Sequence, residues 1–199
     1  MGSRSLPNTQ EIAPGLRRWT AWHDHWEEQV GSVAVDTADG LVLIDPLDPP
    51  ADLPSPKHVL LTLYFHARAA AGLKARVWAP SRSRRPLRNR GVEAEDAAAG
   101  ELPGGIVPFP TARAAESVYW LPEHRAVVVG DVLLGAGAKP RATDEPLRLC
   151  PQRWLGKSTH EQLRRSLLPL LDLPVEHVLV SHGLPVVDNG KRELARVLA

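Results

Sequence analysis

Sulfur is nearly absent from this chain of 199 residues, which has one cysteine, Cys150, and one methionine. A lone thiol excludes an internal disulfide and a thiolate metal cluster, and it fits a reducing compartment. Phenylalanine and tyrosine are scarce, two of each against six tryptophans. Neither sign of charge is in excess. The net charge of +1 argues against bulk electrostatic capture of nucleic acid or of a membrane surface. No apolar run approaches the length of a membrane helix, and the opening MGSRSLPNTQ lacks the apolar core of a signal peptide. The expectation is a soluble, cytoplasmic protein with neither nucleic acid nor membrane as partner. With no internal repeat and no long linker, residues 1–199 are expected to form a single domain.

Proline and glycine, at 19 and 15 residues, imply many short connections and few long helices. The strongest element signal is AESVYWLPEHRAVVVGDVLL, Ala115 to Leu134. Ser117 to Leu121 is β-branched and aromatic, Arg125 to Val129 is apolar on both faces, and Pro122-Glu123 supplies a turn. This is a hairpin whose second strand is central and covered. That strand stops at Gly130-Asp131, so a carboxylate sits at a strand end, where α/β proteins place their chemistry. The competing reading is an aspartate that caps a turn.

Val30 to Asp36 and Leu41 to Asp45 form a second hairpin through Asp39-Gly40, followed by the loop LDPPADLPSP. HVLLT, His58 to Thr62, is a short apolar strand. The alanine-rich FHARAAAGLKAR then predicts a short helix, and RVWA, Arg76 to Ala79, closes a strand–helix–strand unit with a parallel pair. ELPGGIVPFP and Gly135 to Leu149 read as loops. Thr159 and Gln162 make a capping box ahead of a helix with Leu163, Leu167, Leu170 and Leu171 on one face. Glu176 to Val180 is a last strand, ending in Ser181-His182-Gly183, and Asn189 to Leu198 is a terminal amphipathic helix.

Two segments carry competing readings. Trp19, Trp22, His23 and Trp26 match helical spacing and predict an aromatic helical turn packed on the core. Alternatively the segment walls a pocket, with His23 or His25 reaching a site. SRSRRPLRNR, Ser81 to Arg90, is suited to phosphate or carboxylate, but Glu93, Glu95, Asp96 and Glu101 follow at once and no aromatic residue interleaves for base stacking. A locally neutralised surface loop is therefore expected there.

Two hairpin halves with helices outside predict an α+β two-sheet sandwich that delivers Asp131 and His182 to strand ends. Through GSVAVDTADGLVLIDP, HVLLT, ESVYWLPEHRAVVVGDVLL and HVLVSHGLP, the chain resembles the metallo-β-lactamase superfamily along nearly its whole length. The resemblance implies a four-layer αββα sandwich. It puts Asp131 at the position of an aspartate that bridges two metals, and His182 at that of a late-strand histidine ligand. The family's His-x-His-x-Asp-His motif follows the short strand's threonine, but here Thr62 is followed by LYFHAR. In the simplest register Leu63, Phe65, Ala67 and Arg68 take its ligand positions, and Arg113 takes that of the histidine before the hairpin. Five of seven ligands are then absent, so the standard binuclear zinc site is dismantled. A one-residue slip places His66 on the motif's second histidine and Arg68 on its aspartate. Glu116 replaces the hairpin's glycine.

Three readings of such a site remain open. The first is a divergent hydrolase-like protein without metal, acting on or binding a small anionic molecule. Asp131, His182 and His66 are then the catalytic candidates, with His182 as general base, and Arg68, Arg113, Glu116, His23, His25 and Trp22 are the substrate-binding candidates. The second is a hydrolase with one divalent metal, zinc, on Asp131, His182 and either His66 or Glu116. The third is a non-catalytic protein, or pseudoenzyme, that uses the pocket, or the arginine-rich Ser81 to Arg90, to hold a ligand or a partner.

Overall fold

The structure, a computed structural model, describes residues 8–199; the amino-terminal residues 1–7, part of the stretch read for a signal segment, lie outside the described residues. Hydrophobic alternation along short strands builds two main sheets. The first runs in chain order: β1 (Asn8–Ala13), β2 (Leu16–His23), β3 (Glu28–Thr37), β4 (Gly40–Ile44), β5 (His58–Leu60), β6 (Arg76–Ala79) and β7 (Glu95–Asp96). β1 to β4 pair antiparallel, and β4 to β7 pair parallel. Helix α1 (Ser81–Arg88) lies between β6 and β7 in the chain.

The second sheet has β8 (Val107–Pro110), β9 (Ser117–Leu121) and β10 (Ala126–Val129), and a ribbon of β11 (Leu133–Gly135) and β12 (Leu147–Leu149) follows. Helix α2 (His160–Leu167), strand β13 (His177–Val180) and helix α3 (Gly190–Leu198) complete the chain. The order across this sheet is β13-β10-β9-β8, with β10 and β13 parallel.

Residue alternation assigns the layers. Ala126 and Val128 face a core between the sheets, shared with Leu16, Val35, Ile44, Leu60 and Tyr119. Val127 and Val129 face a second core, shared with Leu163 and Leu167 of α2 and Leu194 of α3. In the first sheet Val42 and Ile44 point inward, whereas Leu41 and Leu43 point outward to a third core with Trp19 and Leu87 of α1. The doubly apolar strands are those covered on both faces. Helix, sheet, sheet and helix form an αββα sandwich. The capping box at Thr159 and Gln162 is present at the start of α2.

Four local expectations are corrected. Trp19 and Trp22 lie on strand β2, because pairing with β1 and β3 along its length outweighs helical spacing. Ser81 to Arg90 is largely the helix α1, whose buried Ser83 and Leu87, four residues apart, anchor it while its arginines face outward. The short helix after HVLLT is two 3₁₀ turns, Tyr64–Ala67 and Ala70–Gly72. ELPGGIVPFP and the loop after Gly135 supply the edge strand β8, whose prolines an edge tolerates, and β12.

Candidate functional site

β4 and β5 are parallel, as are β10 and β13, so all four carboxyl ends can open at one edge of the sandwich. There Gly31 N donates to Ser181 O at 2.7 Å and Ser117 N to Thr62 O at 3.0 Å, tying the sheets together. Asp45 follows β4, Thr62 and His66 follow β5, Asp131 follows β10 and His182 follows β13. Asp45 is buried and takes φ +50°, and Arg68 takes φ +39°. Such left-handed non-glycine backbone is costly and clusters at functional sites.

The two histidines are held in the same way. Asp45 Oδ1 accepts from Thr62 N at 2.8 Å, and its Oδ2 accepts from Thr62 Oγ1 and lies 2.8 Å from His66 Nδ1. His66 Nε2 then faces Asp131 Oδ1 at 3.1 Å. His182 Nδ1 hydrogen-bonds to Glu28, and its Nε2 faces the same Asp131 Oδ1 at 3.3 Å. His66, Asp131 and His182 thus offer three ligand atoms within 4.8 Å of one another.

Asp131 is fixed from behind. Its Oδ2 accepts from Arg113 Nη1 at 2.9 Å. Glu116 is buried beneath it, with Oε1 accepting from Asp131 N at 2.7 Å and Val132 N at 3.0 Å, and Oε2 accepting from Arg113 at 3.1 Å. Gly130 is required here, since a Cβ would lie 2.5 Å from Thr62 Oγ1 and 2.7 Å from Glu116 Oε1.

Electrostatics follow from this packing. Burial and Arg68 push His66 down, but Asp45 and Asp131 outweigh them and raise it. Burial also opposes charge on His182, yet Asp131 and Glu28 lift it to about 9. Burial would raise Asp131, but His66 and His182 hold it well below the ordinary carboxylate range. Burial and the neighbouring Asp131 push Glu116 up to about 7. Four carboxylates (Asp45, Glu28, Glu116 and Asp131) face two guanidiniums (Arg68 and Arg113). When all four are ionised, two negative charges remain. Two imidazolium protons can neutralise them, and so can one divalent cation.

The donors fit such a cation. Both imidazoles turn Nε2 to the same point, and a carboxylate holds each Nδ1, the arrangement that orients histidine for metal ligation. Two imidazole nitrogens, one carboxylate oxygen and an open position suit a catalytic zinc site.

The site opens into a cavity of about 450 Å³. His66, Arg68, Arg113, Asp131 and His182 line its floor, and His23, His25 and Trp26 form one wall. Phe65, Arg153 and Trp154 complete it. Trp26 stands 5.6 Å from the His182 ring and 5.4 Å from Trp154. Trp22, read from sequence as a binding residue, is 51% exposed and does not line this cavity. Glu116 does not line it either. It supports Asp131 from below, and of the two candidate third ligands only His66 belongs to the cluster.

Sequence reasoning missed Glu28, Asp45, Thr62, Arg153 and Trp154. Asp45 ends an apolar strand as Asp131 does, so that signal was available. Glu28 meets His182 across 154 residues and has no local signature.

No protein-family model matches the sequence, and no curated protein matches it significantly. Solved structures do match the fold. DIM-1 metallo-β-lactamase exposed to ceftazidime superposes with a TM-score of 0.68 at 11% identity, over 99% of this chain and 98% of that one. The mono-zinc form of metallo-β-lactamase FIM-1 from Pseudomonas aeruginosa gives 0.64 at 16% identity, over 99% and 96% of the two chains. The metal-soaked Flv1 flavodiiron core from Synechocystis sp. PCC6803 gives 0.66 at 16%, over 96% of this chain and 59% of that one. At such identities the likeness establishes the fold, and this chain is an αββα sandwich of the metallo-β-lactamase type.

Proposed function

We propose that this protein is a hydrolase of a small anionic molecule that works with one divalent metal, zinc, held by His66, Asp131 and His182. The observation that carries this reading is the convergence of two carboxylate-oriented Nε2 atoms and Asp131 Oδ1 within 4.8 Å. A neighbour of the same fold, FIM-1, has been crystallised in a mono-zinc form, so the fold accommodates a single ion. Bound there, the metal would supply Lewis acidity and lower the pKa of a water.

The chain's own residues account for the rest. Asp45 and Glu28 fix the imidazole orientations and raise their basicity. Arg113 neutralises Asp131 Oδ2, and Arg153, outside the buried charge cluster, lines the cavity as a cation for a carboxylate or phosphate. Trp26, Trp154 and Phe65 supply apolar walls for the remainder of a small substrate. The metal-free alternative is disfavoured by Asp131 and Glu28, which raise the His182 pKa to about 9 and so favour the imidazolium over the neutral form that a general base needs.

The test is zinc titration of chelator-stripped protein, followed by a screen of carboxylate-bearing and phosphate esters. One tightly bound equivalent is expected, abolished by His66→Ala or His182→Ala. Binding of two equivalents, or of none at micromolar free zinc, would defeat the assignment. In the second case a non-catalytic ligand-binding role is left.

A further inference from the structure

A second cavity of about 410 Å³ is lined by Glu28 and Gly183, neither of which lines the first. Arg18 lines it and is 5% exposed. Its Nη2 donates to Val180 O at 3.2 Å and Gly183 O at 2.9 Å, while its buried Nε has no partner. The guanidinium lies flat over Gly31, where a Cβ would come within 2.5 Å of Nη2. Among the described residues no carboxylate pairs with Arg18. Glu28, the acidic residue of the same cavity, commits its two oxygens to His182 Nδ1 and Lys139 N. Residues 1–7, Met-Gly-Ser-Arg-Ser-Leu-Pro, contain no carboxylate side chain. A buried charge without a counterion is costly, and backbone carbonyls neutralise it only in part. Burial accordingly lowers the Arg18 pKa to about 10.

We infer that this cavity binds a small organic carboxylate whose charge meets Arg18. Thr20 and Gln29 add polar side chains to the lining, and Leu184 and Pro185 offer an apolar surface for a short hydrocarbon portion. A carboxylate with a few carbons fits this division better than a compact inorganic anion, which would leave the apolar side of the cavity unfilled.

The experiment is a titration of the full chain, without metal, with butyrate and with its neutral isostere butyramide, followed by backbone amide NMR. Butyrate is expected to shift the amides of Thr20, Gln29 and Ala136, and butyramide to leave them in place. Arg18→Met should weaken butyrate binding at least about tenfold. If that variant does not fold, Gln29→Glu gives the same answer. It leaves every hydrogen bond of Arg18 intact, supplies an internal counterion and should also weaken butyrate at least about tenfold. Equal shifts with butyramide, shifts confined to Trp26 and Trp154, undiminished binding by Gln29→Glu, or no shift at all would each overturn the inference. Because no metal is used, its failure is separate from failure of the zinc reading.

Discussion

Replacing Glu28 with glutamine removes one charge from the support of His182 while keeping an acceptor in place. In the metal-free protein Asp131 and Glu28 together lift His182 from 6.5 to about 9 against the opposing effect of burial, a preference for the imidazolium of about 3 kcal/mol. Losing Glu28 should bring that titration down toward its ordinary value. Loss of an outer carboxylate behind a histidine ligand typically weakens a metal by about 10–100-fold. Two effects therefore oppose each other. At pH 7 the parent must shed a proton held about two pH units below its pKa, which costs on the order of 100-fold in apparent affinity. The variant sheds it more easily. The full loss of zinc affinity should therefore appear above pH 9 and shrink, or nearly vanish, at pH 7. Competition against a chromophoric chelator at the two pH values measures this, and proton release can be counted by calorimetry in buffers of different ionisation enthalpy. A variant that loses zinc equally at both pH values, or loses none at either, would show that Glu28 does not act through the basicity of His182.

In the metal-free protein the raised pKa of His182 makes its ion pairs stabilising below about 6.5, and this contribution is lost as pH rises through about 9; with the raised His66 and Glu116 acting in the same direction, urea unfolding at pH 6 and above pH 9 should differ by at least about 3 kcal/mol. Asp45→Asn leaves His66 and Thr62 poorly partnered in the interior and should cost about 3–5 kcal/mol, seen as a lowered denaturation midpoint without zinc. Gly130→Ala drives a methyl into Thr62 Oγ1 and Glu116 Oε1 and should destabilise by about 1–3 kcal/mol, with zinc affinity falling as Asp131 shifts. Gly137→Ala, where a Cβ would meet nothing within 4 Å but φ is +76°, serves as a control: it carries backbone strain alone, costs about 1–2 kcal/mol and leaves zinc affinity unchanged.

Strands with strong patterns were legible in the sequence. Val127 and Val129 alternate with Ala126 and Val128, and a strand apolar on both faces has to be covered on both. The hairpin at Asp39-Gly40 and the cap at Thr159 were written in turn and cap chemistry. The aromatic segment was misread because Trp19, Trp22 and Trp26 satisfy helical spacing, whereas β2 is decided by hydrogen bonds to strands on either side. The arginine-rich stretch was misread for the opposite reason. Only Ser83 and Leu87 report its buried face, and the surrounding arginines mask a two-residue signal. At the site, strand ends announced Asp131 and His182, and a slip in register announced His66. Glu28 and Trp154 could not be announced, because each reaches the site only through long-range packing.

The charges gathered around Asp131 have an electrostatic logic of their own. The segment after β5 brings one imidazole, His66, to the site, and the Arg113 guanidinium bridges Asp131 and Glu116. Two divalent ions bring four positive charges to a site. One divalent ion with Arg68 and Arg113 brings the same four, matching Asp45, Glu28, Glu116 and Asp131 when all are ionised. A second metal would lack donors, and it would also carry the buried cluster to net positive charge at a cost that rises as the local dielectric falls. Arg113 therefore holds fixed positive charge beside Asp131 and Glu116. With Oδ2 engaged by Arg113, Asp131 is left with Oδ1 facing the two histidines.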